Sequence, residues 1–222
     1  MIKRLQNIQW YSGFKTLNAV GPKRYPIKKV HIHLHQYKPL STISLNDHHF
    51  CVDLVKSRDK EGYLCGLLQP SGVARDAYFA IRAFNVEISS IKDGQKSRSA
   101  ESIRASQMRM NWWREAVESI YRSDQYKDGD QIKNSSALHQ PVVRALRQSV
   151  LECQLTRRFL DKMIDARERD LDVEQMDTID DLIRYGADTW SCVMYLSLES
   201  VGVSNQVLIF VLRKSEHGTI IP

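Results

Sequence analysis

Apolar residues recur at spacings of three and four along most of the chain after residue 46, a pattern typical of amphipathic α-helices. The clearest example covers residues 73–91. Its apolar positions are Val73, Ala77, Ala80, Ile81, Phe84, Ile88 and Ile91. The pattern predicts one buried face, with Arg75, Asp76, Arg82 and Asn85 on the other side of the helix.

The same spacing predicts further helices at residues 47–55, 99–121, 141–150, 155–171 and 178–201. No region before residue 204 is rich in strand patterns. The sequence therefore predicts an all-α helical bundle.

Turn-forming and capping residues mark the predicted helix ends. Glycines and a proline surround a short apolar segment at 63–68, and Ser71 is a candidate N-cap for the helix that follows. Thr178, with acids two and three residues later, is a candidate N-cap for the last helix, and Gly202 is expected to end it.

Individual side chains were assigned to the core or the surface from their helical phase. Met108, Met110, Trp112 and Trp113 suit either a ligand-contact surface or simple core packing, and core packing is favoured. Leu182 is predicted to face inward, whereas the charged run 165–172 is predicted to be a solvated helical face.

The formal net charge of +6 is concentrated at one end of the chain. Residues 1–50 contain eight Lys or Arg and a single acid, Asp47, whereas the remainder contains 24 basic and 25 acidic residues. A nucleic-acid-binding domain would carry its excess cations on the folded surface, so that class is not expected. The composition predicts a mitochondrial transit peptide at 1–44, with a disordered basic tail as the alternative.

Histidines and cysteines offer candidate metal ligands. The alternating run His31, His33, His35 lacks flanking acidic or Cys ligands, so it is expected to be unstructured. The four cysteines show no metal-ligand spacing and are predicted to be buried, reduced thiols, since no secretory signal indicates an oxidising compartment. They are Cys51, Cys65, Cys153 and Cys192.

Two further features concern membranes and the C-terminal tail. No apolar stretch approaches the roughly 20 residues that a membrane-spanning helix needs, so a soluble or peripheral protein is expected. Six of the seven residues 206–212 are apolar and show no helical pattern, which indicates an aggregation-prone segment. The predicted division is therefore a leader at 1–44, a helical domain at 46–203 and a divergent tail at 204–222.

Three segments resemble the squalene/phytoene synthase family. They are Tyr63 to Phe84, with its Leu-Leu-Gln-Pro turn and Ala-Phe end, Trp113-Arg-Glu-Ala-Val, and Pro141-Val-Val-Arg-Ala-Leu. The resemblance covers about residues 48–203, nearly all of the predicted helical domain at 46–203. It implies a helical bundle of the isoprenoid-synthase type, here truncated at its C-terminus, and an ancestral reaction on prenyl diphosphates.

The resemblance also implies an aspartate-rich motif, Arg-x-x-Asp-Asp-x-x-Asp, which follows Ala83-Phe84 and begins at position 86. This sequence has Val86 at the arginine position and Ser89 and Ser90 at the two leading aspartate positions, so that only Asp93 remains. Magnesium requires hard, anionic oxygen ligands, and serine hydroxyls are neutral. The second motif, expected beyond Gly202, is also missing. We therefore expect no metal site, no cofactor and no catalytic residues.

Four further segments resemble a mitochondrial branch of this family. They are Asn85-Val86-Glu87, Met108-Arg-Met, Asp165-Ala-Arg-Glu-Arg and Tyr195-Leu-Ser-Leu-Glu. That branch takes part in the assembly of respiratory complex I (NADH:ubiquinone oxidoreductase). The resemblance implies a non-catalytic protein, peripheral on the matrix side of the inner membrane. Its expected partners are complex I subunits or other assembly factors, with no nucleic acid and no transmembrane helix. The alternative is a Mg²⁺-dependent prenyl-diphosphate transferase.

Overall fold

The computed structural model describes residues 45–95, 97, 99–122 and 136–203. Seven α-helices and one short 3-10 helix make up the regular structure of these residues, which include no strand. The helices are α1 (Leu45–Arg58), α2 (Lys60–Leu67), α3 (Val73–Asp93), α4 (Ala100–Arg122), α5 (Pro141–Cys153), α6 (Arg157–Arg169) and α7 (Ile179–Ser200). The predicted all-α bundle is confirmed.

Helix α3 lies at the centre of the bundle and contacts each of the other six helices. Consequently every residue from Ala77 to Phe84 is buried, whichever way it points around the helix. Arg82, predicted to lie on the side of the helix away from the buried face, is itself buried, with only 2% of the residue exposed. Helical spacing gives the phase of a side chain, but not the number of neighbours that surround its helix.

The aromatic and methionine residues of α4 divide between core and surface. Met110 and Trp113 are buried, and the Trp113 ring meets the Phe84 ring edge-on, with 5.4 Å between ring centroids. Core packing is thus confirmed for these two residues. Met108, however, is 67% exposed, so the prediction that it joins the core is wrong.

The connection into α3 differs from the predicted one. The residue at the N-cap of α3 is Gly72, not Ser71, and its φ of 91° lies in the region that glycine adopts without strain. The Arg75 guanidinium donates hydrogen bonds to the carbonyl oxygens of Leu67 and Gln69 and fixes this turn.

At the other end of the fold, Thr178 caps α7 as predicted. Its hydroxyl oxygen accepts a hydrogen bond from the Asp181 backbone N–H at 3.1 Å. This interaction satisfies one of the free N–H groups in the first turn of the helix.

The four thiols are free, but they are not all buried. Cys51 and Cys192 lie in the core and Cys153 is partly buried, whereas Cys65 is exposed on α2, contrary to the prediction. Burial raises the pKa of the Cys51 and Cys153 thiols to about 12, so both are protonated at neutral pH.

Helix α7 has an exposed apolar face as well as a buried one. Leu182, predicted to face inward, is 57% exposed, so that prediction is wrong. None of the described helices is both long and apolar enough to cross a membrane. The predicted leader, the histidine run and the predicted tail lie outside the described residues.

Candidate functional site

The positions of the degenerate aspartate motif line a cleft on the C-terminal half of α3. The cleft has a volume of about 260 Å³. Val86, Ser89, Ser90 and Asp93 contribute one wall, since they follow one another at helical spacing. The other lining residues are Arg58, Asp59, Glu61, Arg82, Asn85 and Trp190. The structure therefore brings the motif positions together with side chains from α7 and from the junction between α1 and α2.

Both serine hydroxyls of the motif donate to the same backbone carbonyl of their own helix. The Ser89 Oγ lies 2.9 Å from the Val86 carbonyl oxygen, and the Ser90 Oγ lies 2.7 Å from it. This back-bonding is a common arrangement for serine within a helix. The serines are thus satisfied inside α3 and present only neutral oxygen atoms to the cleft.

A buried ion pair between Arg82 and Asp59 forms the floor of the cleft. The Arg82 side chain is 3% exposed, and the Trp190 ring covers its guanidinium at 4.7 Å. Asp59 also caps α2, because its Oδ1 accepts a hydrogen bond from the Gly62 N–H at 2.9 Å. Both oxygens of the Asp59 carboxylate therefore have partners within the fold.

A second arginine reaches the same region from α6. Arg167 donates a hydrogen bond to the Asn85 side-chain oxygen at 2.8 Å and another to the Tyr185 hydroxyl at 3.2 Å. Burial lowers the pKa of Arg167 and raises the pKa of Tyr185. The prediction that the whole 165–172 run is a solvated face is thus wrong at Arg167, which points inward.

A third cation near the motif is also paired. The Lys92 ammonium lies 2.9 Å from an Asp170 carboxylate oxygen and donates a hydrogen bond to the Val173 carbonyl, also at 2.9 Å. These contacts tie the end of α3 to the segment that follows α6. Arg82, Arg167 and Lys92 thus hold helices together.

The carboxylates around the cleft do not form a recognisable metal centre. Within the described ranges, no three His, Cys, Asp or Glu side chains come together in a way that would hold a metal ion. Ser89, Ser90 and Asp93 lie on the cleft wall, but the absence of metal and catalytic residues remains a prediction, because residues 204–222 are outside those ranges.

Sequence reasoning did not identify Arg82, Asp59, Arg167 or Trp190 as parts of this site. One signal was present, since Arg82 lies four residues before Val86 and seven before Ser89, on the same face of α3. The other three come from distant elements, and only the fold brings them to the cleft.

Comparison with known proteins gives one family and a consistent group of relatives. The family model for squalene/phytoene synthase matches residues 55–216. The matched range continues beyond residue 203, where the sequence analysis predicts the start of a divergent tail. The match does not test the predicted division into leader, helical domain and tail. No solved structure matches the chain significantly.

The curated relatives carry one name. The chain is 37% identical over 157 residues to human NADH dehydrogenase (ubiquinone) complex I, assembly factor 6, a match that covers 71% of this chain and 42% of the human protein. Its rat counterpart is 38% identical over 160 residues, covering 72% and 43%. The homolog from Dictyostelium discoideum is 32% identical over 157 residues, covering 71% and 39%. The chain thus spans about two fifths of the length of these relatives.

Proposed function

Because this chain belongs to the squalene/phytoene synthase family, we propose that it is a member that has lost diphosphate chemistry and acts in the assembly of NADH dehydrogenase (ubiquinone) complex I. The observation that carries this proposal is the state of the motif on α3. Ser89 and Ser90 stand where the family resemblance implies carboxylates, and both hydroxyls donate to the Val86 carbonyl. The names of the relatives point to complex I assembly.

The loss of chemistry follows from the electrostatics of a leaving diphosphate. Mg²⁺ bound to a diphosphate needs several anionic oxygens from the protein, and it stabilises the charge that develops on the leaving group. Asp93 is the only carboxylate at the three aspartate positions of the motif. Asp59, another carboxylate that lines the cleft, is paired with Arg82. We therefore assign the protein no cofactor and no catalytic residue.

The proposed site of action is the mitochondrion, on the matrix side of the inner membrane. The basic, acid-poor leader at 1–44 supports import, and the biological role proposed above supports the same compartment. The proposed partners are complex I subunits or other assembly factors, reached by a protein that binds the membrane peripherally.

Genetic loss and complementation test the assembly role. Cells without the protein should lose assembled complex I, measured by native gel electrophoresis and NADH:ubiquinone oxidoreductase activity, while succinate dehydrogenase activity serves as the control. Re-expression of the wild-type chain or of the double variant Ser89→Ala/Ser90→Ala should restore complex I, because the two hydroxyls have no chemical role. Normal complex I in cells that lack the protein would refute the proposal.

A direct assay separates this proposal from a prenyl transferase. Purified protein incubated with Mg²⁺ and farnesyl or geranylgeranyl diphosphate should release no pyrophosphate above a buffer control. The double variant Ser89→Asp/Ser90→Asp should also remain inactive, since it leaves Val86 at the arginine position of the motif. Turnover by the wild-type chain would show that the family chemistry is retained.

A further inference from the structure

A second cavity lies beside α3. It borders a different side of the helix from the one where Val86, Ser89 and Asp93 line the first cleft. Its volume is about 340 Å³. It is lined by Glu87, Ser90, Ile91, Arg109, Trp112 and Trp113. The α3 residues of this cavity follow at i, i+3 and i+4, and the other three residues come from α4. The cavity is thus a cleft between these two helices, and the role proposed above does not use it.

Two tryptophans form an aromatic corner in this cleft. The Trp112 and Trp113 rings are nearly perpendicular, at 84°, with 4.9 Å between their centroids. Trp113 is only 4% exposed and packs against Phe84, so its ring position is fixed by the core. Neither indole N–H donates a hydrogen bond to a described residue. Aromatic faces of this kind attract alkylammonium groups, and pairs of them are used to recognise quaternary ammonium ligands.

Two groups of opposite charge line the same cleft, and both lack partners within the described part of the chain. The half-buried Glu87 carboxylate forms no hydrogen bond or ion pair there. Burial raises its pKa, and the charge of Arg58 opposes that shift. Arg109 approaches Gly94 and likewise forms no hydrogen bond or ion pair with a described residue. Glu87 is half-buried and Arg109 is exposed. A half-buried charge is stabilised by an opposite charge, and an exposed guanidinium is open to an anion, so this arrangement suits a ligand that carries both charges.

We propose that this cleft binds a small zwitterion of the phosphocholine type. The quaternary ammonium would lie against the Trp112 indole, the more accessible of the two rings, near Glu87, and the phosphate would accept hydrogen bonds from Arg109. A simple cation would pair with Glu87 but leave Arg109 without a partner in the cleft, and a simple anion would pair with Arg109 but leave Glu87 without one. The volume is at the lower end of the range for ligand pockets, which suits a headgroup rather than a long chain.

A binding experiment with the purified full-length chain tests this inference independently of complex I. Glycerophosphocholine is titrated by calorimetry, and co-flotation is measured with vesicles of phosphatidylcholine or of phosphatidylglycerol. Wild-type protein should bind the choline compounds. Glu87→Gln and Arg109→Gln should each weaken binding by at least about tenfold, the loss expected for one charge-assisted contact. Arg104→Gln, an exposed position on the same helix, should bind like the wild type.

The outcomes distinguish the source of the ligand. Binding of glycerophosphocholine in solution identifies a soluble headgroup ligand, and binding of choline-lipid vesicles alone identifies a membrane lipid. Binding in either form supports the inference if Glu87→Gln and Arg109→Gln both weaken it and both variants keep the circular dichroism spectrum of the wild type. No binding in any arm would overturn the inference, as would binding that neither variant weakens. Equally tight binding of choline chloride or of a trimethyl-lysine peptide would also overturn it, because those ligands carry no phosphate.

Discussion

At positions 89 and 90, a hydroxyl in place of a carboxylate changes which hydrogen bonds the side chains can form with the backbone of α3. A serine donates to a backbone carbonyl one turn earlier, as Ser89 and Ser90 do at Val86, whereas an ionised aspartate has no proton to donate. Adjacent carboxylates in a half-buried cleft would repel each other unless a metal neutralised them. The serines therefore make this part of α3 stable without a bound ion.

The Glu87 carboxylate tests how a half-buried charge affects the free energy of unfolding. Burial raises its pKa above the ordinary value of 4.5, so the folded chain holds this proton more tightly than the unfolded chain does. The associated stability is fully present below about pH 4.5 and is lost as the pH rises through the raised pKa. Glu87→Gln removes this loss. Its advantage over the wild type should therefore grow from acidic to neutral pH, to less than about 1 kcal/mol because water screens the half-exposed group.

Urea unfolding of the wild type and of Glu87→Gln at a series of pH values measures this difference. Glu101→Gln, at an exposed position on α4, is the matched control and should change the free energy of unfolding by less than about 0.5 kcal/mol at each pH. A Glu87→Gln variant that is less stable than the wild type at neutral pH would show that the carboxylate has a stabilising partner.

Predictions about single residues succeed or fail according to whether they rest on the family resemblance or on helical phase. The family resemblance implies a motif at Ser89, Ser90 and Asp93, and in the structure these residues share one wall of a cleft. The interpretation of Asp93 as a loop residue is wrong, because α3 extends to Asp93. Phase fails for Arg82 and Leu182, because burial depends on the neighbouring helices. The aromatic cover that Trp190 provides for Arg82 is a long-range contact, and no local pattern encodes it.

At the scale of elements, predicted and observed helices agree best where an apolar stripe is bounded by a capping residue. The helix predicted at 178–201 is observed as Ile179–Ser200, with Thr178 as its cap. Helix α2 was predicted only as a short apolar segment, because its two glycines are ordinarily read as helix breakers. In the structure they permit close approach instead, Gly62 to the Arg82–Asp59 pair and Gly66 to the Phe79 ring.

A pair of glycine substitutions tests this account of α2. Gly62→Ala should reduce the free energy of unfolding by roughly 1–3 kcal/mol, because a Cβ there would collide with the buried ion pair of Arg82 and Asp59. Gly186→Ala in α7 meets no atom within 4 Å and should increase stability by up to about 1 kcal/mol through helix propensity. Thermal and urea unfolding followed by circular dichroism compare the two. Equal effects of the two variants would contradict the close packing at Gly62.

At the scale of the whole molecule, α7 has apolar surfaces on both sides. The inner surface includes Cys192, Val193 and Leu196, which pack in the core with α3 and α6. The outer surface consists of Ile179, Leu182, Ile183, Trp190 and Met194, all of them substantially exposed. Exposed apolar side chains on one helix favour association, since their burial removes apolar area from water.

Substitutions on the two faces of α7 should therefore affect different properties. The double variant Leu182→Gln/Ile183→Gln should change the free energy of unfolding by less than about 0.5 kcal/mol per site, because both side chains are exposed. It should reduce self-association of the purified chain, measured by sedimentation velocity over a range of concentrations. Leu196→Ala is the control on the inner face and should cost about 2–5 kcal/mol, because Leu196 is fully buried. A cost of that size for the outer-face variant would show that Leu182 and Ile183 are packed within the folded chain.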